Sequence, residues 1–174
     1  MLTNKNHHND TVSVTINGHT LELSGSRPTV ADALRASGTH GAPCAIVDGR
    51  IVDTATPLGG RPAPYAVEPV IPSSPVGLEV LGHSTAHVLA QAVQRLYGEP
   101  GTSGQRVPQG NGPSDGGDFY QDFDFEAVGI RAADVDLQAV AKEMAKIADE
   151  KNTFVRSVIA KETAQAFFEH DPLK

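Results

Sequence analysis

"TVSVTINGHTLEL", residues 11–23, decides the first half of the fold. Val12, Val14 and Ile16 alternate with Ser13 and Thr15, Asn17-Gly18 follows, and Leu21 and Leu23 alternate again with polar neighbours. A period of two on both sides of Asn-Gly predicts a β-hairpin, because the tight hairpin turn needs positive φ at residues that tolerate it. The next segment, "TVADALRASG" (29–38), predicts a helix with Thr29 as N-cap, a stripe of Val30, Ala33 and Leu34, and Gly38 as its stop. "CAIVDGRIVD" (44–53) then repeats the hairpin pattern around Asp48-Gly49. The order is ββαββ.

Outward from this core the signal weakens. Residues 1–10 are polar and expected to be disordered, and residues 54–77 are rich in Pro and Gly, with "YAVEPVI" (65–71) the one credible strand. A first domain over 11–70, a linker over 71–77 and a second domain over 78–174 are expected. In the second part, 78–97 predicts a helix and 98–117 a Gly-, Ser- and Pro-rich connection. "DFYQDFDF" (118–125) predicts an edge-like strand. Asp134 is expected to cap a further helix, with Leu137, Val140, Ala141, Met144, Ile147 and Ala148 at helical spacing, and a last helix over about 160–169 is expected to bury Ala164, Phe167 and Phe168.

Composition limits the function. In 174 residues, 14 Lys plus Arg stand against 21 Asp plus Glu, a net charge of -7, which repels phosphate and disfavours tight autonomous nucleic-acid binding. No apolar run approaches the ~20 residues of a membrane span, and "MLTNKNHHND" lacks the pattern of a signal peptide, so a cytoplasmic protein without membrane contact is expected. The single cysteine, Cys44, cannot form an internal disulfide, and its neighbours are those of a packed strand.

Chemistry concentrates in "GHSTAHVLAQAVQRLYG", residues 82–98. On a helix His83, His87, Gln91 and Gln94 share one face, and Val88, Leu89, Ala92, Val93 and Leu96 supply the packing face. Histidines at i and i+4 can hold one metal ion, or can offer two nitrogens to a substrate and a water. Either use needs a second half. Downstream of His87 the chain has only His170 and no cysteine, so no C-x-x-x-H partner is present and neither a metal nor another cofactor is expected.

"GLEVLGHSTAHVLAQAVQRLY" (77–97) resembles the segment that opens the editing domain of bacterial threonyl-tRNA synthetases, a "GL.VLRHSTAH..AQAV..L" passage. Upstream, residues 12–58 are similar to the small β-grasp (ubiquitin-like) domain, called TGS, that precedes it, and "GPSDGGDFYQDFDF" (112–125) resembles the family's "GP..DGFYYDFD" strand. "DLQAVAKEMAKIADEKNTF" (136–154) and "IAKETAQAFFEHDPLK" (159–174) resemble the two closing segments. The resemblance implies an α+β protein: a TGS β-grasp domain followed by part of a threonyl/alanyl-tRNA synthetase editing-type domain. It also implies hydrolysis of mischarged seryl-tRNA, with His83 and His87 as half of the catalytic site and Tyr120, Asp122 and Gln91 as substrate-binding candidates. The other half, a cysteine and a histidine in "MCRGPH", lies beyond the matched part of the family, as do the ligase and anticodon-binding domains. A protein partner completing the editing domain, and tRNA held only weakly or indirectly, are therefore expected. The alternative is a non-catalytic TGS-containing module that binds a protein, a nucleotide-like ligand or a tRNA partner.

Several positions depart from the family. Gly82 replaces the usual Arg before the first histidine, and Gln121 replaces the second Tyr of "FYYDFD". "QRVPQGNG" (105–112), with Pro108 and two glycines, stands where an apolar strand is usual and is expected to weaken the ladder. Ala160 stands where the family has an N-cap Ser, a loss of about 1 kcal/mol.

Overall fold

The computed structural model describes residues 11–59, 61, 64–98, 106–115, 118–152 and 157–167, so the expectation for residues 1–10 lies outside the described residues. The chain divides into two compact units, Met1–Leu81 and Gly82–Lys174.

The first unit begins with β1 (Thr11–Ile16), β2 (His19–Ser24) and α1 (Val30–Ala36), and continues with β3 (Ala45–Val47), β4 (Arg50–Val52) and β5 (Tyr65–Pro69). The five strands form one mixed sheet in the order β2-β1-β5-β3-β4, with β1 parallel to β5 and the other pairs antiparallel. Both hairpins turn as the dipeptides require: φ is 51° and 79° at Asn17 and Gly18, and 50° and 78° at Asp48 and Gly49. Val14, Ile16, Leu23, Ala45, Val47 and Val67 project from the sheet into one buried cluster with Val30, Ala33 and Leu34 of α1. The alternation on each strand puts these side chains on one face, which the helix covers. Thr29 and Asp32 form a reciprocal capping box at the start of α1. The Thr29 backbone N–H bonded to Asp32 holds that carboxyl below its ordinary range, assisted by the Thr29 hydroxyl and Arg35. Cys44 is buried, and burial first, then the Asp53 charge, pushes its thiol up.

α2 (Pro75–Tyr97) starts three residues earlier than the spacing predicts, inside the stretch expected as linker. Ser74 supplies the reason. Its hydroxyl accepts from the Gly77 N–H at 3.1 Å, and Pro75 occupies the first helical position, where a missing N–H costs nothing. A side chain at Gly77 would stand 2.7 Å from the Pro72 carbonyl oxygen, so the chain enters the helix there only with glycine.

In the second unit β6 (Gln109–Asp115) and β7 (Asp118–Phe123) form an antiparallel pair, followed by α3 (Leu137–Asp149) and α4 (Lys161–Phe167). Ala92 and Val93 of α2, Val107, and Val140 and Ile147 of α3 make its core, bordered by Tyr97, Phe123 and Phe125. The Tyr97 and Phe125 rings meet edge to face at 5.5 Å, and the Tyr97 hydroxyl accepts from the Asp136 N–H at 2.8 Å. The Gln94 amide clamps the Val107 backbone at both ends, donating to its carbonyl at 2.7 Å and accepting from its N–H at 3.0 Å.

Four details correct the sequence reading. Residues 109–115 pair with β7 despite their glycines. Pro108 precedes the strand, where its carbonyl accepts from Asp124 N–H at 2.9 Å, and the register shift between Asn111 and Ser114 absorbs the irregularity. Asp136, not Asp134, caps α3, accepting from the N–H groups of Gln138 and Ala139 at 2.9 and 3.0 Å. The extended Val135 (φ -74°, ψ 118°) delays the helix, and Asp134 instead pairs with Arg131 at 2.7 Å. Leu96, expected on the packing face of α2, is exposed. In α4, Ala164 is half-buried, whereas the side chain of Phe167 and all of Phe168 lie outside the described residues. A mixed sheet with a covering helix, and a two-stranded pair with helices, make the architecture mixed α and β, compatible with the α+β class.

Candidate functional site

α2 brings His83 and His87 together. Residues four apart stand on adjacent turns of a helix, and the two Nε2 atoms lie 3.0 Å apart, with ring centroids at 4.7 Å and planes at 79°. A bond between two imidazole nitrogens needs one N–H and one lone pair, so one Nε2 carries a hydrogen and the other accepts it. Such a pair can take a proton at one ring while the neighbour stabilises the charge. Both residues are exposed, as is Gln91 one turn further on. Gln94 departs from this stripe: it is half-buried and committed to Val107.

Tyr120 and Asp122 share the exposed face of β7, with Tyr120 59% exposed, while Phe119, Gln121 and Phe123 are half-buried on the other. Across the pair β6 contributes two glycines. A side chain at Gly112 would stand 2.6 and 2.7 Å from the Tyr120 ring, and one at Gly110 would meet Asp122 at 3.7 Å. The Tyr120 ring therefore lies across bare backbone. The structure thus brings the two imidazoles into contact, with Gln91 exposed one turn further along α2 and Tyr120 and Asp122 exposed on β7. Two imidazoles supply half of a tetrahedral donor set, and among the described residues no three His, Cys, Asp or Glu side chains converge as a metal site.

One charged cluster escaped the sequence reading. Arg95 pairs with Glu143 at 3.2 Å and Glu150 at 2.5 Å, and Lys146 reaches Glu143 at 2.8 Å, tying α2 to α3. Hydrogen bonds from Arg95, then Asn152, bring the Glu150 carboxyl down to about 2, while Lys146 first and Arg95 second lower that of Glu143. The Glu143–Lys146 spacing is readable as a helical pair, but Arg95 is 48 residues from Glu143 and gives no local signal.

No family model matches the chain. Over 127 residues, 73% of the chain, it is 40% identical to a threonine–tRNA ligase of Staphylococcus epidermidis, covering 18% of that protein. It is 39% identical over 128 residues to the enzyme so named in Staphylococcus saprophyticus and 35% identical over 127 to that of Staphylococcus aureus, again covering 18% of each. The chain thus spans about a fifth of the length of the curated relatives it matches. Among the described residues no helix is long and apolar enough to cross a membrane. By sequence the chain is related, over 73% of its length, to threonine–tRNA ligases.

Proposed function

We propose that the chain serves tRNA threonylation as a proofreading component: residues 11–70 a TGS β-grasp module, 71–77 a connection, and 78–174 part of an editing-type domain that acts in the cytoplasm on seryl esters of tRNA. The observation that carries this reading is the 3.0 Å contact between the His83 and His87 imidazoles on an exposed helix face. Hydrolysis of an aminoacyl ester needs a water stripped of a proton as it attacks, and a proton returned to the departing ribose oxygen. An imidazole pair joined by one hydrogen bond can accept the first proton and pass it on without carrying two charges at contact distance. Tyr120 and Asp122, above their glycine floor, would face the adenosine and the ammonium of the aminoacyl group, with Gln91 adding an amide beside the histidines.

A second reading is favoured by the same geometry. Among the described residues no three His, Cys, Asp or Glu side chains gather as a metal site, and the chain would then serve as a non-catalytic module binding a protein, a nucleotide-like ligand or a tRNA partner. Titration with the seryl amide of 3′-amino-3′-deoxyadenosine, which cannot be hydrolysed, separates the two. Editing use predicts saturable NMR shifts at the His83 and His87 side chains, and ligand binding that is lost in the double alanine variant. Shifts confined to residues 11–70 would favour the binding module, and unperturbed histidines at saturating ligand would overturn the editing reading.

A further inference from the structure

The inner face of the β6–β7 pair holds two buried acceptors with no partner among the described residues. Gln109 is 7% exposed, and its Oε1 and the Oε1 of Gln121 are both buried without a hydrogen bond. Asn111 stands opposite Gln121 and Phe123 opposite Gln109, so the two glutamines are diagonal neighbours on one face. Diagonal positions lie about 7 Å apart, within reach of one another's long side chains. An orphaned buried carbonyl forfeits its hydration, at a cost comparable to a full hydrogen bond, so each of the two calls for a donor, and one donor between diagonal neighbours would serve both.

We propose that Gln109 and Gln121 hold a small hydrogen-bond donor between them, a buried water molecule that gives one hydrogen to each Oε1. Water suits the site because it offers two hydrogens to two neutral acceptors, with no carboxylate needed to balance a charge. The bridge has a structural consequence for the exposed face. β6 carries Gly110, Gly112 and a register shift, and glycine-bearing strands specify their register weakly. A water tying Gln109 to Gln121 locks the register and thereby sets the height of Tyr120 and Asp122, which flank Gln121. The inference rests on the packing of the hairpin and not on the editing reading.

The test uses the full chain labelled with 15N and the variants Gln109→Met, Gln121→Met and both together. In the wild type, long-lived water is expected to give cross-peaks to the side-chain amides of both glutamines. Each single variant should speed hydrogen exchange of the β7 amides about tenfold, the ordinary worth of a buried hydrogen bond, and the double variant should add little more. Absence of the water cross-peaks in the wild type would overturn the proposal even if the variants fail to fold. So would unchanged or slower exchange in the single variants, since an apolar isostere relieves an acceptor that has no donor. Protection that rises with ammonium but not sodium chloride at equal ionic strength would replace the water by a cation and equally count against it.

Discussion

His83 and His87 illustrate what one residue can and cannot do alone. Their pairing follows from the helical repeat and was legible in the sequence, as was the exposure of Gln91. The opposite fate of Gln94 was not legible, because its partner is the backbone of Val107, 13 residues away in the chain. Arg95 is a second instance, and its carboxylate partners yield a pH prediction. The Glu150 carboxyl is held at about 2 in the folded chain against an ordinary 4.5, so its pairing supports the fold fully above about 4.5 and is lost as pH falls through 2. Urea unfolding of the second unit followed between those values should weaken more steeply in the wild type than in Glu150→Gln, and parallel profiles would contradict the pairing. Gly112 gives a third test. Gly112→Ala places a methyl against the Tyr120 ring, so the tyrosine resonances should move while those of the first unit stay fixed.

At the scale of elements, both hairpins and α1 were readable because their turn and cap residues act locally: Asn17-Gly18, Asp48-Gly49 and Thr29 each specify geometry within four positions. The parallel pairing of β1 with β5 joins residues about 50 positions apart and leaves no local mark. The cap of α3 shows how a near miss arises. Asp134 and Asp136 have the same chemistry, and only the extended backbone of Val135 selects the later one. Asp136→Ala should therefore destabilise the second unit by about 1 kcal/mol, whereas Asp134→Ala, which removes an exposed pair with Arg131, should change stability by less than about half of that. Thermal unfolding of the two variants checks the assignment, and equal effects would reverse it. β6 formed where glycine and proline argued against a strand, because Pro108 falls just before the ladder and the bulge accommodates the rest.

For the whole molecule, relatedness to threonine–tRNA ligases over 73% of the chain coexists with coverage of 18% of the matched enzyme. The 174 residues contain no Gly-rich phosphate loop and no class II arginine motif to neutralise a triphosphate, so threonine-dependent pyrophosphate exchange should stay at background with the purified chain. Exchange above background would place a ligase activity in these residues. The proofreading claim is tested most directly by deacylation of seryl-tRNA with the purified chain alone, and with a supplied polypeptide carrying the "MCRGPH" half, for wild type and the His83→Ala/His87→Ala variant. A proofreading role predicts negligible hydrolysis by the chain alone, because misplacement of the ester by even about 1 Å costs on the order of 100-fold. It predicts hydrolysis in the complemented wild type that is lost with the histidines. Hydrolysis that survives loss of both histidines, or no hydrolysis from the complemented wild type although the two halves bind, would contradict it.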